Sequence, residues 1–276
     1  MHTFTYLLRH FFTHKDFLPP AQELPGTLFT PMHLVFEAAV LAIVIGGAIC
    51  VSRDRRRIKP VFTVMWVVLI LLEIAIVSWD SLAGARHGLD LAVNLSLYPC
   101  SIFMYVLPFV IWGHGRWKQA ACGYICTLGL LGALINFIYP VARLLDYSCI
   151  SFPAFHTFTY HGSMLFACLV LLRSGEHRYG GTKTWWEPFL ASLPGLIVSI
   201  PANIINYSPV QSDYMYFRGQ HFLVARVFGA ADPRMVTAVL YVLYLVVPAG
   251  FYLIPRLWNS ILTWPLRRLE TYGFSV

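Results

Sequence analysis

Charge is scarce in this chain. Asp, Glu, Lys and Arg make up 12% of its 276 residues, against 58% hydrophobic and a mean hydropathy of +0.63. A soluble domain carries about 25% charged residues, so a soluble fold is excluded and a polytopic membrane protein is expected. Also missing is any polar block long enough to build a second core, and neither an internal repeat nor a low-complexity segment is visible. The six cysteines (50, 100, 122, 126, 149 and 168) contain no CxxC and no zinc spacing. Five fall inside predicted spans, so neither a disulfide framework nor a metal site is expected. There is no P-loop and no dinucleotide fingerprint, so no nucleotide cofactor is expected. The first apolar run is followed by His14-Lys15-Asp16 rather than a small-residue cleavage site, which argues against a cleavable signal peptide.

What is present is a series of long apolar runs. Residues 1–31 read as an N-terminal interfacial segment, an amphipathic stretch followed by a proline-rich loop. Seven transmembrane helices are then predicted over 32–254: Met32–Val51, Pro60–Trp79, Ala92–Trp112, Gln119–Tyr139, Ala154–Leu172, Pro188–Asn206 and Met235–Ile254. Each is long enough to cross about 30 Å of hydrocarbon. Residues 255–276 form a tail. The expected fold is therefore an all-α membrane helix bundle in one domain.

The net charge of +7 reads as a topology signal, not a nucleic-acid footprint. One side collects thirteen Lys and Arg: five in 52–59, two in 113–118, three in 173–187 and three in 255–276. The other side collects seven, from 1–31, 80–91, 140–153 and 207–234. The positive-inside rule then places the N-terminus outside and the C-terminus in the cytoplasm.

Polar residues inside membrane spans are costly and mark function more often than elsewhere. Here they gather in the outer halves: Glu73 and Asp80 in span 2, Asn94, Ser96 and Cys100 in span 3, Asn136 in span 4, His156, Thr157, Thr159 and His161 in span 5, and Asn203 and Asn206 in span 6. Cys100 and His161 each lie seven or eight residues from the same end of a predicted span, on the order of 11 Å deep at 1.5 Å per residue. A thiol and an imidazole at matched depth are the two parts of a nucleophile–base pair. Against this, a lone membrane cysteine is more often a packing residue and a lone membrane histidine a hydrogen-bonded structural one. Helical spacing puts Ser96 with Cys100, Thr157 with His161, and Ser199 with Asn203 and Asn206 on shared faces. Cys122 and Cys126 lie in an inner half without an ionisable partner and read as packing. His33 and Glu37, at i, i+4, read as an outer-end ion pair.

Three segments carry a resemblance. Leu95-Ser-Leu-Tyr-Pro-Cys100 resembles the LPLHLC-like segment of the bacterial YwaF family of integral membrane proteins. Asp213-Tyr-Met-Tyr-Phe217 is similar to that family's NYMFL segment, and Thr159-Tyr-His161-Gly162 to its SHG segment. The resemblance covers roughly residues 35–255 and implies an integral protein of a bacterial plasma membrane. The eukaryotic relatives, the transmembrane protein 164 group, are acyltransferases that move a polyunsaturated acyl chain onto ether lysophospholipids through a Cys and a His. By that resemblance Cys100 and His161 are the two residues, and a membrane phospholipid or lysophospholipid is the partner. The more distant androgen-induced-protein relatives are lipid hydrolases with a Thr nucleophile, which widens the implied class to acyl transfer or hydrolysis. Two departures stand out: Tyr98 and Pro99 replace the family's His and Leu, and Asp213 replaces its Asn.

The expectation is thus a Cys100–His161 acyl-transfer site, with Asn136, Asn203 or Asn206 stabilising the oxyanion and Asn94, Ser96, Thr157 and Asp213 contributing to binding. A small-solute or proton-coupled transporter using Glu37, Glu73 and His161 as relay groups, or a ligand-binding membrane protein without catalysis, remains the alternative.

Overall fold

A computed structural model describes residues 2–20, 23–84, 88–90, 94–139, 145–179, 186–220, 222–229 and 231–253. The expected tail at 255–276 and the first residues of the expected third span, 92–93, lie outside the described residues. Every regular element among the described residues is helical. The helices are α1 (His2–Arg9), α2 (Pro31–Ser52), α3 (Arg55–Ala83), α4 (Ile102–Ile111), α5 (Gly115–Ile138), α6 (Phe152–Ser174), α7 (Trp186–Asn206), α8 (Phe222–Phe228) and α9 (Pro233–Leu253).

The helix starts follow from local chemistry. Thr30 caps α2 by accepting the His33 N–H, with Pro31 in the first turn, where its missing donor costs nothing. Asp54 accepts the Arg56 N–H at the head of α3, and Ser151 accepts the Ala154 N–H at the head of α6. Within α5, residues Ile125–Gly129 widen into a π turn. There the Leu130 N–H reaches back to the Ile125 carbonyl. The Cys126 carbonyl accepts the Tyr179 hydroxyl instead.

Among the described residues six helices are long and apolar enough to cross a membrane: α2, α3, α5, α6, α7 and α9. This is an integral membrane protein. α5 and α6 form its centre, with 67% and 72% of their apolar windows buried, against 17% to 28% for the other four. The surrounding helices turn Val35, Ile43, Leu71, Ile74, Ile200, Ile204 and Val246 outward. Apolar side chains on the outside are what a lipid solvent selects. The expected third span, Ala92–Trp112, is not one helix: only the ten residues of α4 are helical. At 1.5 Å per residue α4 is about 15 Å long, half of the hydrocarbon thickness. The expected single helix over the third span is corrected here: among the described residues that span contributes a half-length helix beside the six long ones.

Two glycines set the close approaches. A Cβ on Gly162 would meet Val44 Cγ2 of α2 at 3.3 Å, and one on Gly123 would meet Ala191 Cβ of α7 at 2.9 Å and Ala191 Cα at 3.3 Å. Small residues let helix backbones approach where lipid offers no hydrophobic drive. Because a backbone atom stands in the way, Gly123→Val is expected to push α5 off α7, at a cost of about 1–3 kcal/mol. Thermal unfolding in detergent checks this: a midpoint unchanged from wild type would contradict the packing described.

Candidate functional site

The residues leading into α4 explain why the chain abandons its helix there. Leu95 to Ser101 is turn and extended backbone placed against the bundle. Such backbone is tolerated at membrane depth only when protein groups satisfy its polar atoms. Tyrosine hydroxyls do so here. Tyr214 accepts the Leu95 N–H at 2.9 Å, Tyr105 donates to the Ser96 carbonyl at 3.0 Å, Tyr124 to the Pro99 carbonyl at 2.6 Å and Tyr160 to the Ser101 carbonyl at 3.3 Å. Pro99, whose ring supplies no donor, sits where the helix would otherwise continue. Burial raises the Tyr214 hydroxyl above its ordinary range, which keeps it a neutral group. Cys100 is thereby placed two residues ahead of α4, where its carbonyl accepts the Phe103 N–H at 3.0 Å.

This correction also removes the helical face expected for Ser96 with Cys100, and with it the depth counted from helical rise. Cys100 and His161 nevertheless line one cavity of about 980 Å³. The cavity opens at the end of the bundle where α3 finishes and α6 begins. Its lining includes Glu73, Asp80, Asn94, Tyr98, Ser101, His156, Thr157, Tyr160, Asp213 and Tyr216. A cavity of that size accommodates a ligand of several hundred daltons. Among the described residues no group of three or more His, Cys, Asp or Glu is arranged to hold a metal ion.

His161 is oriented by its own helix. Its Nδ1 lies 2.9 Å from the Thr157 carbonyl. A carbonyl can only accept, so Nδ1 carries the proton and Nε2 presents a lone pair. The thiol that lines the same cavity is half-buried, as is His161.

A second arrangement was not legible in advance. His156 Nε2 lies 3.0 Å from Glu73 Oε2, and Ser96 Oγ donates to Glu73 Oε1. Glu73 is in the middle of α3, His156 at the start of α6. The Tyr160 ring packs near both imidazoles, at centroid separations of 5.7 Å to His156 and 6.2 Å to His161.

The remaining expected site residues divide. Asn94, Thr157 and Asp213 line the cavity; Asn94 Nδ2 also donates to Ser81 Oγ at 3.0 Å, and Asp213 accepts the Arg218 N–H at 2.7 Å. Ser96 stands behind Glu73. Asn206 is fully buried and spends its side chain on the 212–214 segment, accepting from Ser212 Oγ and the Tyr214 N–H and donating to the Tyr214 carbonyl. Ser199 and Asn203 both bond Tyr241 of α9, so the expected polar stripe on α7 joins α7 to α9. Asn203 lines a separate cavity of about 310 Å³ with Tyr207, Arg234 and Thr237. Asn136 is buried near the end of α5, away from the residues that line the large cavity. The His33–Glu37 pair forms at 3.7 Å, and Glu37 is not among the residues lining the large cavity.

The N-terminal segment takes part as well. Trp79 Nε1 donates to the Phe12 carbonyl at 2.9 Å, and the Phe152 N–H to the Phe11 carbonyl at 2.8 Å. His14 then lies between Asp16 and Asp80, at 3.1 and 3.4 Å, so that residues 14–16 form part of the cavity wall. Sequence offered one signal for this, the polar His14-Lys15-Asp16 triplet ending an apolar run.

A protein-family model described as the TMEM164 family matches residues 28–255. No match was found among curated proteins or solved structures.

Proposed function

The chain belongs to the TMEM164 family, and from that premise and the site's geometry we propose that it is a membrane-embedded lipid acyltransferase or transacylase using Cys100 and His161. The observation that carries this reading is the placement of a thiol just ahead of α4, in one cavity with an imidazole whose Nδ1, not its Nε2, makes the bond to Thr157. His161 Nε2 takes the thiol proton as Cys100 sulfur attacks the ester carbonyl of a phospholipid. The developing oxyanion is met by the main-chain N–H groups at the start of α4, where a helix has donors without helical partners. The C–O bond breaks, the alkoxide takes the proton from His161, and a thioester remains on Cys100. A lysophospholipid hydroxyl then displaces the thiol, or water hydrolyses the thioester.

The lipid-facing helices around the cavity suit a substrate that arrives sideways from the bilayer. With the N-terminus outside, as the distribution of Lys and Arg favours, the mouth opens to the outer leaflet of a bacterial plasma membrane. The transporter reading retains Glu73 and His161 in one cavity, but its third relay group, Glu37, stands apart with His33. Purified protein in lipid nanodiscs, treated with a lipid-like electrophilic ester and read by intact mass, separates the two. Labelling of wild type that disappears in Cys100→Ser is expected. Equal labelling of both proteins, or of neither, favours the transporter or a ligand-binding protein.

A further inference from the structure

A carboxylate in the middle of a membrane helix is expensive and is retained when it performs a task. Glu73 has no role in the Cys100–His161 chemistry above, yet it contacts both segments that carry it. One oxygen accepts Ser96 Oγ, four residues before Cys100 in the non-helical approach to α4. The other lies 3.0 Å from His156 Nε2, five residues before His161 on α6. Both arms are largely shielded from solvent: Glu73 is 17% exposed and His156 14%. A carboxylate accepts from two donors at a fixed angle and separation, so it sets the distance between those donors.

We propose that Glu73 is a positioning residue, a clamp that fixes the segment bearing Cys100 against the helix bearing His161. The proposal rests on the acyl-transfer reading of those two residues. The need for a clamp follows from the local structure. The Leu95–Ser101 backbone lacks the i, i+4 ladder that makes a helix rigid, and is held instead by tyrosine hydroxyls from other elements. Of those four bonds, the one from Tyr160 to Ser101 ties the segment to α6. Glu73 supplies a second tie at the far end of the same segment. Two ties fix an orientation where one leaves a pivot. A displacement of about 1 Å between nucleophile and base lowers a rate by about 100-fold, so the second tie has a kinetic consequence.

The clamp makes a distinctive pattern of effects. Ser96→Ala cuts one arm and His156→Ala the other; either releases the same relative motion. Each is therefore expected to slow the acylation of Cys100 by about 10- to 100-fold, and the effects are expected not to multiply with each other or with Glu73→Ala, because removing one arm already frees the segment. Substrate affinity, read as KM for the lipid ester, is expected to change by less than about threefold, since the change is in alignment and not in binding. Glu73→Gln retains an oxygen for Ser96 and offers an amide hydrogen to His156 in its other tautomer. It is expected to keep the rate within about tenfold of wild type, as a clamp depends on placement.

The experiment measures the rate of Cys100 acylation by the electrophilic lipid ester in nanodiscs, by intact mass over time, for wild type, Glu73→Ala, Glu73→Gln, Ser96→Ala, His156→Ala and Ser96→Ala with His156→Ala. Retained helicity and a cooperative thermal transition are required of every variant. If Glu73→Ala does not meet that standard, the two arm variants and Glu73→Gln carry the comparison. Slow, non-multiplying arm variants with a largely active Glu73→Gln support the clamp. Arm variants acylated at the wild-type rate overturn it. So does a Glu73→Gln as slow as the arm variants, which assigns the effect to charge instead of placement. Failure of the underlying reading looks different: wild type itself is then not labelled at Cys100.

Discussion

On the proposed reading, His161→Ala is expected to slow the acylation of Cys100 by about 10²- to 10⁴-fold, the range supplied by a positioned general base. The argument lies in the hydrogen bond made by the other ring nitrogen. Nδ1 is bound to the Thr157 carbonyl one turn earlier, an acceptor the helix supplies at no extra cost. This holds the neutral tautomer in which Nε2 can take a proton, the orienting role a carboxylate plays for histidines of known catalytic function. A thiol ionises poorly unaided, so its attack calls for a positioned proton acceptor, and the alanine removes the one this account assigns. The alanine leaves the fold in place, because His161 is half-buried and its bond to Thr157 is local. The check is a rate of labelling together with a thermal midpoint. A large rate loss with a midpoint within a few degrees of wild type is expected. A wild-type rate in His161→Ala would remove this residue from the chemistry.

The largest effect on stability is expected at Asn206. Its side-chain oxygen accepts the Tyr214 N–H at 2.7 Å and the Ser212 hydroxyl at 3.0 Å, and its amide donates to the Tyr214 carbonyl at 2.8 Å, all fully buried. Arg218 Nη1 also donates to the Asn206 carbonyl at 3.2 Å. Together these hold a segment that is locally unfavourable: Met215 and Tyr216 have φ of 58° and 60°, the left-handed region that costs a non-glycine residue of order 1–3 kcal/mol. Asn206→Ala leaves three buried partners unsatisfied and releases that strain. With about 1 kcal/mol or more per buried orphan, the loss is about 3 kcal/mol, or about 6–12 °C in the thermal midpoint of a chain this size. Asn206→Asp is expected to be worse, since it sets a buried carboxylate against the Tyr214 carbonyl. Tyr214, freed, no longer accepts the Leu95 N–H, and Asp213 and Tyr216 leave the cavity wall, so the labelling rate falls with the stability. An Asn206→Ala midpoint within 2 °C of wild type would contradict this account.

The helical spans were legible because hydropathy integrates over twenty residues and the lipid demands nothing subtler. Residues 92–112 misled for the same reason. Their composition is predominantly apolar, with Asn94, Ser96 and Ser101 as the polar interruptions and Pro99 as a local cue to the break. Whether an apolar stretch is helix or extended chain depends on who satisfies its backbone, and the tyrosines that do so come from 105, 124, 160 and 214, which no window contains. Matched depth brought Cys100 and His161 under suspicion together, and the cavity places both in its wall. Depth could not pair Glu73 with His156 across 83 positions. Nor could it distinguish Asn206, turned inward onto a loop, from an asparagine that faces a substrate. Helical spacing identifies which residues share a face, and the packing of neighbouring elements decides what that face meets.

The measurement that tests the central claim most directly is the intact mass of the wild-type protein, acid-quenched during turnover in nanodiscs of natural diacyl phospholipid. The account predicts a covalent addition of one acyl chain, removed by hydroxylamine as a thioester is, mapped to Cys100 and absent from Cys100→Ala. Lipid turnover without any such addition, or an addition that persists in Cys100→Ala, would contradict it.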